Sequence, residues 1–448
     1  MDPDKKIPRV IHWRTAQPRL MFLVRAGSAV ASQGFLSIAH FLAGWLLLRS
    51  AGPAVYAYWV LGMGAITLLV SLQVAFLGPT LSLRLPVLDH AGRRDLVGAL
   101  LGEQQRLLRW CGGLGLLGIL VTMVLLPAAG TLTALTTLVA ALAAAYMQLR
   151  REFLRQILYA RNQPLPILGG DFTYLLVLVA GILGAQRLPS PWGLPAAILA
   201  LVVSSALAHC LLARAVDREL APIVHRRPGL PHEMAPLALW STSGAALAWI
   251  TSQGVLYLVA AQLGHVAVAA LAAARLPLMP MNLLVSGLGG LLVPSAARWR
   301  VTQGLTALRR RLWAISAVLG VVTALWTLAL FVQRDRVLHW LSPEVLPHAP
   351  VLLVGWGLAY TLLAVRDTLA YVPAATGRYR TLTLLTAGIA LVTVAACLLS
   401  MRWIPDARGA LLGVVAGEVL ALVGVIWVVS RTPTGARGLT PAGTASPA

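Results

Sequence analysis

One arginine, Arg275, stands alone in an apolar run, residues 266–294, that contains no other charged residue. It follows His265 by ten residues, which at 1.5 Å per residue would put it roughly 15 Å deep in a membrane-spanning helix. A guanidinium at that depth costs about 2.5 to 3.5 kcal/mol on insertion scales, so it should face water or a partner. It could bind an anion such as phosphate through its forked donors. The alternative is a structural ion pair with a buried carboxylate such as Glu418.

The residues that follow Arg275 predict an interrupted helix. Pro277 and Pro280 each remove a backbone hydrogen-bond donor, and this fits either a bend beside a cavity or a plain kink. Asn282, in the same run, is a further candidate for ligand binding.

A polar stripe marks the first apolar run, where Gln33, Ser37, His40 and Gly44 recur at i, i+4, i+7 and i+11 on one helical face. This stripe could line a cavity and bind hydroxyl or phosphate groups, and His40 could also carry a proton near neutral pH. The alternative is a seam at which small and polar residues let two helices approach closely. Gln253 is the counterpart of Gln33 in the internal repeat described below, and the same two alternatives apply to it.

Further ionisable residues lie in the apolar runs or at their ends. Arg25 could receive an anion at the entrance of the first run, or it could only anchor the chain at the membrane surface. Asp171 and Glu418 could exchange a proton or a sodium ion; the alternative is a pair with a neighbouring arginine, which we favour for Asp171. Two adjacent pairs of opposite charge are expected to set the topology and to seal an inner gate by salt bridges, namely Arg151 with Glu152 and Arg366 with Asp367.

The composition is that of a membrane protein. Hydrophobic residues make up 58% of the 448-residue chain and charged residues only 11%, whereas a soluble domain has about 25% charged residues. The net charge of +21 could suggest nucleic acid, but the Lys and Arg residues occur in short groups between apolar runs and not on one basic face or arm. The three cysteines lie apart in apolar runs, so neither a disulfide framework nor a metal site is indicated.

Twelve apolar runs are long enough to cross a bilayer as helices, which takes roughly 20 residues. They cover residues 27–48, 55–77, 110–127, 131–149, 165–185, 194–213, 238–262, 266–293, 312–332, 349–367, 381–401 and 409–430. With the N-terminus inside, the cytoplasmic segments hold 29 of the Lys and Arg residues and the outer loops hold 6. Because positively charged loops stay in the cytoplasm, both termini are predicted to face it.

The sequence is similar to itself at a shift of about 215 residues. The end of the fourth run then aligns with the end of the tenth, with Arg151 over Arg366 and Asn162 over Gly377. Six spans per half predict two lobes of like orientation. We place these lobes at residues 1–213 and 237–431, with a cytoplasmic linker at 214–236 and a disordered tail at 432–448. Parallel repeats of this kind are typical of transporters whose substrate path lies between the halves.

These features resemble the polysaccharide transporter, or O-antigen flippase-like, branch of the multidrug/oligosaccharidyl-lipid/polysaccharide (MOP) flippase superfamily. The likeness is carried by LLLRSAGPAVYAYWVL from Leu46, with Ala57 where the family often has Gly after the tyrosine, and by the stretches around Arg151 and Arg366. The resemblance implies an all-α, MATE-like membrane fold of about twelve helices in two six-helix lobes around a central cavity. It also implies a flippase that moves polyprenyl-diphosphate-linked oligosaccharide to the outer leaflet of a bacterial cytoplasmic membrane by alternating access.

The resemblance implies no cofactor and no enzymatic step, and it leaves a coupling ion, H⁺ or Na⁺, open. The partners it implies are the lipid-linked substrate, membrane lipids, and the glycan polymerase and glycosyltransferases of the same pathway. A MATE-like antiporter of drugs or cations is the first alternative, but Arg275 would repel a cation. A membrane glycan polymerase or transferase is the second, and it would need paired acids or metal ligands. The long loops at 84–109 and 214–236 lack a DxD or Gly-rich phosphate motif.

Overall fold

The chain is helical in a computed structural model that describes residues 17–85, 88–125, 132–189, 192–220, 229–342, 344, 346–376 and 379–432. Within these ranges there is no β-strand. The predicted all-α fold is therefore confirmed. The predicted tail, from residue 433 onward, and the middle of the predicted linker, residues 221–228, lie outside the described residues.

The helices follow one another along the chain with short 3₁₀ and π turns between some of them. In chain order they are α1 (Gln17–Arg84), α2 (His90–Leu125), α3 (Leu132–Ala160), α4 (Pro164–Ala185), α5 (Gly193–Leu220), α6 (Ala235–Trp249), α7 (Val255–Arg275), α8 (Met279–Val332), α9 (Arg334–Leu341), α10 (Ala349–Ala375), α11 (Tyr379–Trp403) and α12 (Ala407–Ser430). A 3₁₀ turn precedes α6 at His232–Met234, a π turn joins α6 to α7 at Ile250–Gly254, and a second 3₁₀ turn joins α7 to α8 at Leu276–Leu278.

Three glycines with positive φ divide the longest helical stretches. The apolar stretch from Gly27 to Arg84 has 58 residues and would be about 87 Å long if straight, nearly three times the roughly 30 Å hydrocarbon core. It is interrupted at Gly52 (φ 82°), and the later stretches are interrupted at Gly264 (φ 79°) and Gly304 (φ 79°). Ten apolar helical stretches, two of them divided at Gly52 and Gly264, give twelve membrane-crossing segments in the described chain, as predicted.

Several helices extend past the predicted spans. α2 begins at His90 instead of 110, and α5 continues to Leu220 instead of ending at 213. Hydropathy marks only the part of a helix that lies in hydrocarbon, whereas backbone hydrogen bonds continue through polar and basic residues in water. The membrane protein therefore has helices that project beyond the bilayer at the ends rich in arginine.

The helices pack in two groups that meet mainly through α1. Helices α3, α4 and α5 pack on one another and on α1, and α8, α10, α11 and α12 form the other set of extensive contacts. α1 also packs against α6 and α7 of the second group. Gly52 and Gly264, which interrupt α1 and α7 in the same conformation, are 212 residues apart, close to the repeat shift found in the sequence.

Side-chain contacts define two faces of the molecule. On the face that we call the basic face, Arg84 pairs with Glu233, Arg300 donates to the carbonyl oxygen of Ala375 and Arg309 donates to that of Thr432. On the face that we call the opposite face, Arg49 donates to the carbonyl oxygen of Trp340, Tyr58 stacks on His265 and His348 lies 3.4 Å from Asp406. The charge-based prediction from the sequence would put the basic face in the cytoplasm and the opposite face outside.

Replacing Gly52 by alanine tests the interruption of α1. The backbone there has φ 82° and ψ 172°, a region that is nearly restricted to glycine, so Gly52→Ala should destabilise the protein by about 1 to 3 kcal/mol. The measurement is the thermal unfolding temperature in detergent. Gly62→Ala is the matched control, because Gly62 lies in the same helix and a Cβ there meets no atom within 4 Å. Equal unfolding temperatures for the two variants would contradict the assigned break.

Candidate functional site

Two neighbouring cavities lie between the packed groups of helices. The larger, which we call the vestibule, has a volume of about 880 Å³ and reaches toward the basic face. Three elements line it: the part of α1 after Gly52, which we call its second arm, the end of α3, and α6 with the π turn. The lining residues are Thr67, Val70, Ser71, Val74, Ala75, Gly78, Leu81, Ser82, Gln156, Tyr159, Ala160, Ser241, Ala245, Ala248, Trp249 and Ser252. Hydroxyl and amide groups supply its polar atoms, and no charged residue is among these lining residues.

The smaller cavity, which we call the deep pocket, has a volume of about 140 Å³. It shares Thr67 with the vestibule, and it is lined by His40, Gly44, Tyr56, Trp59, Val60, Met63, Gly64, Thr67, Gln253, Ala272, Arg275, Leu276 and Met279. The structure thus brings together three of the candidate residues, Arg275, His40 and Gln253. Arg275 is the one Lys, Arg, Asp or Glu residue in the described lining of the two cavities.

Arg275 is held by an aromatic ring and not by an acid. Its guanidinium carbon lies over the ring of Trp356, 5.6 Å from the ring centre. Glu418, the acid proposed as its structural partner, accepts a hydrogen bond of 2.6 Å from Arg366 instead. The alternative of an Arg275–Glu418 pair is therefore wrong. Within the described part of the chain, Arg275 forms no ion pair.

The backbone at Arg275 departs from a regular helix, as the two prolines predicted. α7 ends at Arg275 and a 3₁₀ turn, Leu276–Leu278, leads into α8. The indole nitrogen of Trp326 donates a hydrogen bond of 3.0 Å to the carbonyl oxygen of Pro277. Arg275, the last residue of α7, lies in the wall of the deep pocket.

The other candidate residues of the binding set do not join the deep pocket. Gln33 and Asn282 are exposed side chains and are not in the lining of either cavity. The polar stripe of α1 is longer than the pocket, so only its His40 and Gly44 end reaches it. Arg25 lies in α1, but its side chain is outside the described residues.

A buried charge cluster ties α3 to α4. Asp171 is fully buried, accepts a hydrogen bond from Ser32 and lies 3.2 Å from a guanidinium nitrogen of Arg155. Arg155 also donates to Glu152 at 2.5 Å, while Arg151 lies over the ring of Tyr174 at 4.0 Å. The structure has an Arg155–Glu152 pair in place of the predicted Arg151–Glu152 pair, since Arg155 lies one turn from Glu152 and the Arg151 guanidinium lies over Tyr174 instead. The arginine pairing favoured for Asp171 is present.

The corresponding cluster in the second group of helices ties α10 to α12. Arg366 lies 2.8 Å from Asp367 and 2.6 Å from Glu418. Both clusters therefore join helices within one group, and neither brings its charges across the boundary to seal an inner gate. Among the described ion pairs, Arg84–Glu233 on the basic face is the one that crosses the boundary between the two groups of helices. The sequence did not predict this pair, because no motif links two residues so far apart in the chain.

Aromatic contacts close the opposite face. Trp45 stacks on Trp340 of α9 with ring centres 4.6 Å apart, and its indole nitrogen donates to the Trp340 carbonyl oxygen at 3.1 Å. Arg49 donates to the same oxygen at 2.8 Å. The two groups of helices thus meet through stacked rings at the opposite face, while toward the basic face the vestibule lies between them beside the Arg84–Glu233 pair.

The fold is similar to that of solved MOP superfamily proteins. An inward-facing multidrug resistance MATE family transporter of the MOP superfamily superposes with a TM-score of 0.65 at 16% identity, covering 89% of this chain and 96% of that one. The lipid II flippase MurJ, in an inward closed conformation, gives 0.68 at 11% identity, covering 90% and 87%. The eukaryotic MATE transporter AtDTX14 gives 0.61 at 15% identity, covering 93% and 96%. This likeness confirms the predicted MATE-like helical fold, and the three solved structures are described as transporters or a flippase.

Two further comparisons gave no match. No family model matches the sequence, and no curated relative matches it.

Removing Arg155 tests the structural role of the buried cluster. Arg155→Gln leaves Asp171 buried beside Ser32 without its cation, and breaking a buried ion pair in this way costs about 3 to 5 kcal/mol. The measurement is the thermal unfolding temperature in detergent. Arg106→Gln is the control, since the partly exposed Arg106–Glu103 pair should contribute at most about 1 kcal/mol. A drop no larger for Arg155→Gln than for the control would refute the structural role.

Proposed function

We propose that this protein is a flippase that carries a polyprenyl-diphosphate-linked oligosaccharide from the cytoplasmic to the outer leaflet for surface polysaccharide synthesis. The observation that supports this proposal most strongly is the charge of the path between the helix groups. Arg275 supplies a permanent positive charge to the deep pocket, and no Asp or Glu lies among the described lining residues of either cavity. An anionic cargo is attracted to such a site and a cationic cargo is repelled.

The vestibule suits the uncharged part of such a cargo. Serine, threonine and glutamine side chains line it, including Ser71, Gln156 and Ser241, and these groups can both donate and accept hydrogen bonds with sugar hydroxyls. Its volume lies in the range of about 300 to 1,000 Å³ that is common for small-molecule sites. In our proposal a short oligosaccharide occupies the vestibule, the diphosphate contacts Arg275, and the polyprenyl chain stays in lipid. No covalent step is required.

The proposed orientation in the membrane rests on the charge distribution. We assign the basic face and both termini to the cytoplasm, because basic segments stay on that side. The protein is then a multi-pass protein of a bacterial cytoplasmic membrane whose vestibule faces the cytoplasm and whose outer side is closed at Trp45 and Trp340. A rocking motion of the two groups of helices would release the Trp45–Trp340 contact and expose Arg275 to the other side. Glycan polymerase and glycosyltransferases of the same pathway would supply and use the cargo.

A multidrug or cation antiporter is the second candidate, because MATE transporters share this fold. Such a protein needs an acid in its path, and the two intramembrane acids proposed for ion exchange are engaged elsewhere. Asp171 pairs with Arg155 and Glu418 pairs with Arg366. The ion pairs leave H⁺ or Na⁺ coupling open, but they favour an anionic cargo over a cationic one.

Replacing Arg275 tests the proposed function. A hydrogen bond to a charged group contributes about 1.5 to 3 kcal/mol, so Arg275→Ala should reduce flipping roughly 10- to 100-fold at limiting substrate. Arg275→Lys should retain part of the activity, because it keeps the charge and loses the forked donor. The assay reconstitutes the protein in vesicles with a polyprenyl-diphosphate sugar and follows the sugar's accessibility to an external glycosidase.

Arg402→Ala is the matched control, since it removes one exposed arginine at the opposite face and changes the net charge equally. We expect wild-type flipping from this variant. Absence of flipping by the wild-type protein, together with export of a lipophilic cation from the same vesicles, would replace the flippase by the antiporter. Full activity of Arg275→Ala would remove Arg275 from the site.

A further inference from the structure

Trp356, on α10, contacts both Arg275 and the helix that carries it. Its indole nitrogen donates a hydrogen bond of 2.8 Å to the carbonyl oxygen of Leu271, and the Arg275 guanidinium lies over its ring at 5.6 Å. Leu271 and Arg275 are four residues apart on α7, so they lie on one side of that helix. One indole therefore fixes the position of the last turn of α7 and supports the charge at its end.

The type of contact decides what Arg275 can still bind. A carboxylate partner would balance the positive charge of the guanidinium and occupy some of its N–H donors. An aromatic ring attracts the cation through its π face and leaves the five N–H donors, which lie in the guanidinium plane, available. Among the described residues, the guanidinium of Arg275 makes no side-chain hydrogen bond, and its partner is the ring of Trp356.

The ring of Trp356 has little freedom to move away. Its side chain is buried, with 8% exposure, in the same apolar cluster as Leu271 and Leu276. Tyr360, one turn later on α10, packs against it with ring centres 6.1 Å apart. Arg275 itself remains partly exposed at the deep pocket.

We infer that Trp356 is a positioning residue that holds the Arg275 guanidinium over its ring, so that the N–H donors of Arg275 remain available to a diphosphate in the deep pocket. This inference rests on the proposed function, and it names a residue that binds no ligand itself. It predicts that the aromatic ring matters more than the indole hydrogen bond. A second indole in the same region allows this to be tested, because Trp326 donates to Pro277 without lying over Arg275.

The test measures binding of inorganic pyrophosphate to the purified full-length protein in detergent by calorimetric titration. Trp356→Leu should raise the Kd about 10-fold, because the Arg275 guanidinium is then no longer held in position before the anion binds. Trp356→Phe keeps a ring and should raise it only about threefold, since phenylalanine is the weaker partner. Trp326→Leu loses an equivalent indole hydrogen bond and should leave the Kd unchanged, even if it lowers the unfolding temperature as much.

A double variant separates a role through Arg275 from a general loss of structure. In the Arg275→Ala background, Trp356→Leu should weaken pyrophosphate binding no further. An equal rise in Kd for Trp326→Leu and Trp356→Leu, or an additive effect in the double variant, would overturn the inference while leaving the flippase in place. Failure of the wild-type protein to bind pyrophosphate at all would overturn both the inference and the diphosphate site on which it rests.

Discussion

A permanently charged side chain within the thickness of a membrane must be stabilised by a partner or by water, and this constraint organises the centre of the protein. Arg275 is supported on one side by the ring of Trp356 and borders the deep pocket on the other. An acidic partner would also have stabilised Arg275, but its negative charge would have cancelled the positive charge at the pocket. The aromatic support leaves that charge uncompensated, so the deep pocket is cationic, whereas the neighbouring vestibule has an uncharged lining that combines apolar residues with several hydroxyl groups.

Other features of the fold follow from bringing that charge to a cavity. The prolines end α7 at Arg275 and introduce a 3₁₀ turn, because a proline cannot supply the backbone donor that a continuing α-helix needs. Gly264 has a positive φ and interrupts α7, so the chain can change direction between the two parts of that helix. α1 supplies the facing wall, with His40 and Gly44 in its first arm and Thr67 in its second.

The membrane architecture could be predicted from the sequence because the bilayer imposes a length and a polarity on each helix. The twelve segments and the interruption after Arg275 emerged in this way. The partners of individual side chains could not be predicted in this way, since they depend on how separate helices pack. Arg155, and not Arg151, bonds Glu152, whereas the adjacent residues Arg366 and Asp367 do pair, so sequence spacing alone does not identify the partner. The contact of Trp356 with Leu271 joins residues 85 apart in sequence, and no local pattern marks it.

The two faces of the molecule differ in how the helix groups meet. Stacked tryptophans close the opposite face, whereas toward the basic face the vestibule lies between the groups beside the Arg84–Glu233 pair. The most direct measurement of the central claim is an experimental structure of the protein with pyrophosphate. The account predicts density for the anion in the deep pocket, in hydrogen-bonding contact with the Arg275 guanidinium, which stays over the ring of Trp356. Arg275 paired with a carboxylate, or the anion bound away from Arg275, would contradict it.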